Sequence, residues 1–258
     1  MSALMQPQTG QSSAPATSWS RSAPRMELKS TALIRTTKQE FACELRDLSE
    51  RGARIGIGGR TVPERFELVL GGGAVPRLAQ VRWTRDEEIG VLFVPRGRGH
   101  ALPDLQLTGS DGKPVSLAAL VSERRSVLVG VVGAFAPERY QTHVTEILER
   151  AQELKRSGFA RLICVAPNDP WTVKAWAAIF DPERRLTILS DGNLDLARWL
   201  GATFVSSRKR QLGVRSRSYM ALLRDGAIEK LTVNDIAPNL VFNERPPVRG
   251  EPVDCEPF

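Results

Sequence analysis

Apolar and polar residues alternate in short runs along the first part of the chain, and turn-forming residues separate one run from the next. A period of two is typical of β-strands that bury one face. Short strands at even spacing favour a sheet that closes on itself, because closure leaves no exposed edge. The pattern therefore predicts an all-β barrel of six strands. The runs are residues 31–36, 39–46, 53–57, 65–70, 77–84 and 89–94.

The pattern changes after residue 103, where continuous apolar runs alternate with helical periodicity. Uninterrupted apolar runs are typical of strands that are buried on both faces of a sheet. Such a strand–helix alternation predicts an α/β sandwich, closed by a hairpin that turns at Asp225–Gly226. The predicted strands are 126–132, 161–166, 186–190, 219–223 and 228–233, and the predicted helices are 137–157, 170–180 (capped by Asn168–Asp169) and 193–200.

These patterns divide the chain into four parts. Residues 1–18 are rich in Ser, Ala, Gln and Pro and are predicted to be disordered. The barrel spans 19–97, the α/β domain spans 98–235, and a Pro-rich extended tail spans 236–258. A Gly/Pro/Arg stretch at 95–103 is predicted to link the two domains.

Composition narrows the functional classes. The net charge is +7, but the basic residues are spread along the chain, which argues against DNA binding. The chain has no apolar run long enough to span a membrane and no signal peptide, so we expect a cytoplasmic protein. Its three cysteines are widely separated, which indicates no disulfide framework and no metal site. Cys43 and Cys164 lie in apolar runs and are predicted to be buried.

Two short motifs stand out in the barrel region. The first is Arg21 and Arg25, four residues apart in the lead-in to the first strand. The second is Asp-x-Ser-x-x-Gly at residues 47–52, between two strand patterns. Together, and with Val81-x-Trp83 followed by Gly90-Val-x-Phe93, they resemble the signature of PilZ domains, which are bacterial receptors for the second messenger cyclic di-GMP.

The PilZ resemblance implies a ligand set of Arg21, Arg25, Asp47, Ser49 and Gly52. An arginine fork suits both phosphate oxygens and the guanine edge. The short polar side chains can bond guanine N–H groups or give a hydroxyl, and the glycine permits a torsion or a close approach. The alternative for the second motif is an ordinary turn, in which Asp and Ser bond the local backbone.

The second domain resembles a peroxiredoxin of the short redoxin group, which has a thioredoxin fold. The resemblance covers residues 102–235. Its matches are Gly133-Ala-Phe135 with Pro137, Thr142-His143, Val165-x-x-Asn168-Asp169 with Trp176, and Gly213-Val-Arg-Ser216 before Tyr219.

Peroxiredoxins use a Pro-x-x-x-Thr-x-x-Cys motif and a later arginine to reduce peroxides with a thiolate. In the same frame this chain has Val132, Ala136 and Arg139, and the arginine position falls at Ser218. The resemblance therefore implies a degenerate, non-enzymatic domain without cofactor or metal, which serves assembly as a homodimer or binds an unidentified protein partner.

The leading hypothesis is a bacterial cyclic di-GMP effector, in which the barrel is coupled to an inactive peroxiredoxin-like domain. One alternative is a thiol peroxidase or other redox enzyme that uses a displaced cysteine, such as Cys164. The other is a scaffold whose PilZ-like domain binds no ligand.

Overall fold

A computed structural model describes residues 26–71, 74–122, 124–137, 141–206 and 213–233, with side chains from Ser30 onward. The segments predicted to be disordered or extended, 1–18 and 236–258, lie outside this range. So do three of the candidate site residues, namely Arg21, Arg25 and Arg139.

The first domain is a closed barrel of six antiparallel strands in the order β1-β2-β3-β6-β5-β4. Its core is built by alternation: along β2 the side chains of Phe41, Cys43 and Leu45 point inward, while the residues between them are exposed. The predicted six-stranded barrel is confirmed. The strands are β1 (Met26–Arg35), β2 (Glu40–Ser49), β3 (Gly52–Gly56), β4 (Arg65–Val69), β5 (Arg77–Arg85) and β6 (Glu88–Phe93).

The second domain is a seven-stranded sheet in the order β15-β14-β9-β10-β11-β7-β8, with an apolar cluster on each face. The three central strands are parallel, as their continuous apolar runs predict. A separate antiparallel pair joins β12 to β13. The strands are β7 (Gln106–Gly109), β8 (Pro114–Ser116), β9 (Arg125–Gly130), β10 (Arg161–Ala166), β11 (Thr187–Ser190), β12 (Thr203–Val205), β13 (Val214–Ser216), β14 (Tyr219–Arg224) and β15 (Ala227–Val233).

Five helices pack against this sheet in the described part of the chain: α1 (Leu117–Val121), α2 (Thr142–Glu149), α3 (Ala151–Arg156), α4 (Pro170–Phe180) and α5 (Asp195–Leu200). Asp169 caps α4 by accepting from the Thr172 N–H at 2.9 Å, as predicted. The predicted helix at 137–157 differs from the structure, because it begins at Thr142 and is interrupted at Arg150.

The late start of α2 has a local cause. The side-chain amide of Gln141 donates to the Ala136 carbonyl oxygen at 2.8 Å, which ties the preceding loop back on itself. The backbone carbonyl of the same glutamine accepts from the Val144 and Thr145 N–H groups, so the first helical turn forms there.

The segment predicted to link the domains is packed between them. Arg96 is buried and donates from Nε to the Trp199 carbonyl oxygen of α5 at 2.9 Å and from Nη2 to the Pro76 carbonyl oxygen at 3.0 Å. Gly201 has a positive φ of 71° and lies against Val94 and Pro95. The barrel and the α/β domain therefore meet in a close junction around α5. Within the described ranges, the structure contains no helix that is long and apolar enough to cross a membrane.

Candidate functional site

The Asp-x-Ser-x-x-Gly motif forms the tip of the β2–β3 hairpin, where Ser49 pairs with Gly52. The Ser49 hydroxyl donates to the Gly52 carbonyl oxygen at 3.1 Å and accepts from the Arg51 N–H at 3.3 Å. The serine thus closes its own turn, as the ordinary-turn alternative anticipates. A ligand that accepts from this hydroxyl must replace its bond to the Gly52 carbonyl oxygen, whereas a ligand donor can use the remaining lone pair.

Asp47 lies on β2, two residues before the turn, and only 5% of its surface is exposed. Its Oδ2 accepts from Nε of Arg54 at 2.9 Å, and the two residues are direct partners in the β2–β3 register. Arg54 also approaches Glu88 at 3.5 Å. This charge-assisted bond holds the carboxylate in one orientation at the barrel surface.

Sequence reasoning did not identify Arg54 as part of this site. The hairpin register contains the signal, because a turn from Ser49 to Gly52 brings position 54 opposite position 47. A cross-strand pair of opposite charge is then the expected arrangement.

Gly52 is required by a close approach of two strands. A Cβ at this position would overlap the Val91 carbonyl oxygen of β6 and would lie 3.2 Å from the Leu92 Cα. The sequence predicted either a special torsion or a close approach, and the structure shows the close approach. The partner is the neighbouring strand of the barrel.

The N-terminal segment enters the barrel beside this motif. Met26 of β1 pairs with Leu48, and Glu27 pairs with Asp47. Arg25 is the residue immediately before Met26 in the sequence. The chain that carries the two candidate arginines therefore joins the sheet at the position of Asp47, although the arginines themselves lie outside the described residues.

An open cavity of about 570 Å³ lies further along the same hairpin. This volume is in the range of small-molecule sites. Arg46, the neighbour of Asp47, lines it and forms ion pairs with Glu44 at 2.7 Å and Glu88 at 3.3 Å. Arg60 also lines it, stacked over the Phe41 ring at 4.7 Å. The cavity therefore presents two guanidinium groups next to the motif, together with the carboxylates of Glu44, Glu87 and Glu88.

In the second domain, the frame that resembles the peroxiredoxin motif is the loop after β9. Val132 and Ala136 are half-buried there, and the Ala134 N–H donates to Oδ1 of Asn168 at 2.8 Å. Ser218 is fully buried before β14, and its hydroxyl has no hydrogen-bond partner among the residues that the structure describes. The fourth position, Arg139, lies outside the described residues.

Two of the three cysteines are enclosed. Cys43 is buried in the barrel, and burial raises its pKa to about 11. Cys164 is buried in β10, and burial, followed by the nearby Asp181 charge, raises its pKa further. Both thiols are therefore protonated at neutral pH, as the sequence prediction of buried cysteines implies. Cys255 lies outside the described residues.

His143 is a structural histidine. Its Nε2 lies 3.0 Å from the Gly130 carbonyl oxygen at the end of β9, and burial lowers its pKa. A neutral imidazole that donates to a backbone carbonyl anchors α2 on the central sheet.

Asp191 is a buried carboxyl at the start of the segment that leads into α5. It accepts from the Leu196 N–H at 3.2 Å and from the Ala197 N–H at 3.0 Å. Burial outweighs these bonds and raises its pKa to about 6. Because this value lies above that of an unfolded aspartate, the folded protein holds the proton more tightly than the unfolded chain.

We expect Asp191 to make stability fall as the pH rises through about 6. Unfolding by urea should show that the wild type loses on the order of 1 kcal/mol between about pH 5 and about pH 7.5, relative to Asp191→Asn. Other titrating groups cancel in this comparison, because both proteins contain them. An identical pH dependence in the two proteins would contradict the prediction.

Comparison with protein-family models gives a separate match for each of the two domains. The PilZ domain model matches residues 20–101, and the Redoxin model matches residues 98–244, more than half of the chain. Peroxiredoxin-2E-2, chloroplastic, of Oryza sativa subsp. japonica is 38% identical over 53% of this chain, but the match covers only 64% of that relative, less than two thirds. Peroxiredoxin-2C of the same organism is 37% identical over 56% of this chain and 89% of its own length.

Solved structures agree with these matches. The crystal structure of peroxiredoxin 5 from Alvinella pompejana has a TM-score of 0.50 and 30% identity, over 55% of this chain and 91% of that one. Reduced Prx3 from Vibrio vulnificus has a TM-score of 0.50 and 25% identity, over 54% and 88%. The predicted peroxiredoxin-like thioredoxin fold of the second domain is confirmed.

The prediction that the chain is not an enzyme is contradicted by these relatives. They are named peroxiredoxins, a class of thiol peroxidases. The replaced positions Val132, Ala136 and Ser218 do not by themselves establish a loss of activity, because a thiol elsewhere in the chain can supply the same chemistry.

Two domains of different families are thus joined in one polypeptide. The barrel at 26–93 falls within the PilZ match, and the seven-stranded sheet with its helices falls within the Redoxin match. The chain belongs to the redoxin family, and it carries a PilZ domain ahead of its redoxin domain.

Proposed function

We propose that the protein is a cyclic di-GMP receptor whose PilZ barrel binds the nucleotide and acts on the attached redoxin domain. The ligand residues are Arg21, Arg25, Asp47, Ser49 and Gly52. The observation that carries the proposal is the entry of the chain into the barrel, where β1 pairs Glu27 with Asp47. Arg25 directly precedes Met26 in the sequence, and Met26 pairs with Leu48 of the hairpin that carries the rest of the motif.

The chemistry of these residues suits the nucleotide. Two guanidinium groups can bind phosphate oxygens or the O6/N7 edge of guanine. The Asp47 carboxylate, oriented by Arg54 at 2.9 Å, can accept the N–H donors of guanine. The adjacent cavity offers room for the second half of the ligand, and of its two arginines Arg60 stacks over an aromatic ring while Arg46 is ion-paired with Glu44 and Glu88.

A calorimetric titration with cyclic di-GMP tests this function. We expect micromolar or tighter binding, weakened at least about 100-fold in the Arg21→Ala/Arg25→Ala double variant, because each of two charged hydrogen bonds contributes about 1.5 kcal/mol or more. Arg98→Ala, which removes an exposed arginine outside the motif, is the matched control and should bind like the wild type.

Absence of binding by the well-folded wild type would leave the alternative of a ligand-free scaffold. Binding that the double variant retains in full would place the nucleotide elsewhere. Thermal unfolding of each variant without ligand separates these results from a loss of folded protein.

The relatives favour a second function for the redoxin domain, which is peroxide reduction by a cysteine. In that reaction a thiolate attacks the O–O bond, takes one oxygen as a sulfenic acid and releases the other as water or an alcohol. Cys43 and Cys164 are buried and protonated, so this chemistry would fall to Cys255. A peroxide-consumption assay with added thiol reductant should then lose its signal in Cys255→Ser and keep it in Cys164→Ser.

The burial of Cys43 and Cys164 leads to a separate prediction about thiol reactivity. Titration of the native protein with a thiol reagent such as Ellman's reagent should label no more than one cysteine rapidly. The same titration in denaturant should label all three cysteines of the chain. In Cys255→Ser the native protein should show no rapid reaction, since buried, protonated thiols react slowly. Rapid labelling of two or three thiols would contradict the structure.

A further inference from the structure

The hairpin that carries the candidate nucleotide ligands also contacts the redoxin domain through one side chain, Glu50. Its Oε1 accepts from Nη2 of Arg77 at 3.2 Å and from Nε of Arg198 at 3.3 Å. Arg77 also donates to the Glu50 backbone carbonyl at 2.6 Å. Arg77 belongs to the barrel and Arg198 to α5, so a single carboxylate bridges the two domains.

This bridge is enclosed. The side chain of Glu50 is 11% exposed and that of Arg77 is 5% exposed, while Arg198 is half-buried at the rim. Burial lowers the pKa of Arg77 to about 10, and this arginine is therefore still charged at neutral pH. Two arginines that share one buried carboxylate depend on its position, because without it their like charges face each other in a poorly solvated space.

The helix that receives this contact is built into the redoxin core. Leu196, Trp199 and Leu200 of α5 belong to the apolar cluster on one face of the sheet, and Val75 of the barrel joins the same cluster. The first turn of α5 is held by Asp191, which accepts from two of its backbone N–H groups. A shift of α5 therefore changes the contacts both at the domain junction and at Asp191, which follows β11.

A ligand that accepts a hydrogen bond from Ser49 disturbs this bridge. The Ser49 hydroxyl uses its one hydrogen on the Gly52 carbonyl oxygen, so a nucleotide oxygen or ring nitrogen that accepts from Ser49 breaks this bond and remodels the turn. Glu50 is the next residue, and its own backbone carbonyl is bonded to Arg77. A change in the turn consequently moves the carboxylate that holds Arg198.

We propose that Glu50 is a coupling residue, through which occupation of the PilZ hairpin changes the stability of α5 in the redoxin domain. This inference rests on the proposed nucleotide-binding function. Because such coupling is reciprocal, disruption of the α5 contact also changes the affinity of the hairpin for its ligand by the same factor.

Hydrogen–deuterium exchange on the full chain tests the coupling. In the wild type, saturating cyclic di-GMP should change the exchange rate of the α5 amides at least about threefold. In Arg198→Ala, which removes the redoxin side of the bridge, the nucleotide should still bind in the calorimeter while the change at α5 disappears. Arg224→Ala, an exposed arginine on β14, is the matched control and should preserve the change.

The outcomes separate the two proposals. If the wild type binds no nucleotide, the proposed receptor function fails and the coupling fails with it. If the wild type binds but the exchange of α5 is unaltered, or if Arg198→Ala shows the wild-type change, the coupling alone is overturned. Glu50→Gln provides an independent check from the barrel side and should behave like Arg198→Ala.

Discussion

Gly52→Ala is expected to destabilise the PilZ barrel by about 3 kcal/mol, the upper part of the usual range for overpacking. The reason is steric, since a Cβ here would overlap the Val91 carbonyl oxygen, and that oxygen is part of the backbone of a paired strand. Backbone atoms of a closed barrel cannot move aside individually, so β3 and β6 must separate. Urea unfolding followed by circular dichroism measures the loss.

Gly56→Ala is the matched control on the same strand. The nearest atom to a Cβ at Gly56 is 3.6 Å away, an ordinary contact, so its stability should stay within about 0.5 kcal/mol of the wild type. Equal stability of Gly52→Ala and Gly56→Ala would contradict the packing that the structure shows. The expected difference also means that a loss of nucleotide binding in Gly52→Ala reports on folding before it reports on a ligand contact.

Much of the barrel could be predicted because its strands bury one face each. Alternation along residues 39–46 predicted a strand that buries one face, and in the structure that face is formed by Phe41, Cys43 and Leu45. The sequence also predicted that position 52 requires glycine, for a special torsion or a close approach. Its partner, Val91, was not, because a neighbouring strand in a closed sheet is set by long-range pairing and leaves no local pattern.

In the redoxin domain, too, some elements could be predicted from the sequence and others could not. Its central strands followed from uninterrupted apolar runs, whereas β12 and β13, with three residues each, are too short to establish a period. The helix predicted at 137–157 was placed too early, since the apolar spacing that begins at Val144 says nothing about the Gln141 side chain that ties back the preceding loop.

The domain junction was the least predictable part of the molecule. A stretch rich in Gly, Pro and Arg has the composition of a flexible linker. Arg96 nevertheless lies buried, because two carbonyl oxygens, an aromatic ring and a carboxylate surround its guanidinium. Composition reflects only the average preference of each residue type for an exposed or a buried position. Arg96 is buried because its partners, Glu67, Pro76 and Trp199, come from distant parts of the chain. The same holds for Glu50, Arg77 and Arg198.

Arg96→Ala is expected to weaken the attachment of the two domains by about 3 kcal/mol, because it leaves buried carbonyl groups without a donor and breaks an ion pair. Arg96 forms that pair with Glu67 of β4 at 2.7 Å and stacks over the Trp199 ring at 4.3 Å. The contacts with Glu67 and Pro76 hold Arg96 to the barrel and the contacts with Trp199 hold it to α5, so its loss weakens the junction between them.

Differential scanning calorimetry gives the clearest measurement of this effect. Domains that share a tight junction unfold together, whereas weakly attached domains unfold in separate transitions. We expect one transition for the wild type and two for Arg96→Ala, with Arg98→Ala, an exposed arginine two positions further on, behaving like the wild type. A single unshifted transition in Arg96→Ala would mean that the buried guanidinium contributes little to the junction. Coupling through Glu50 and Arg198 would then have to operate without a rigid contact at Arg96 between the PilZ and redoxin domains.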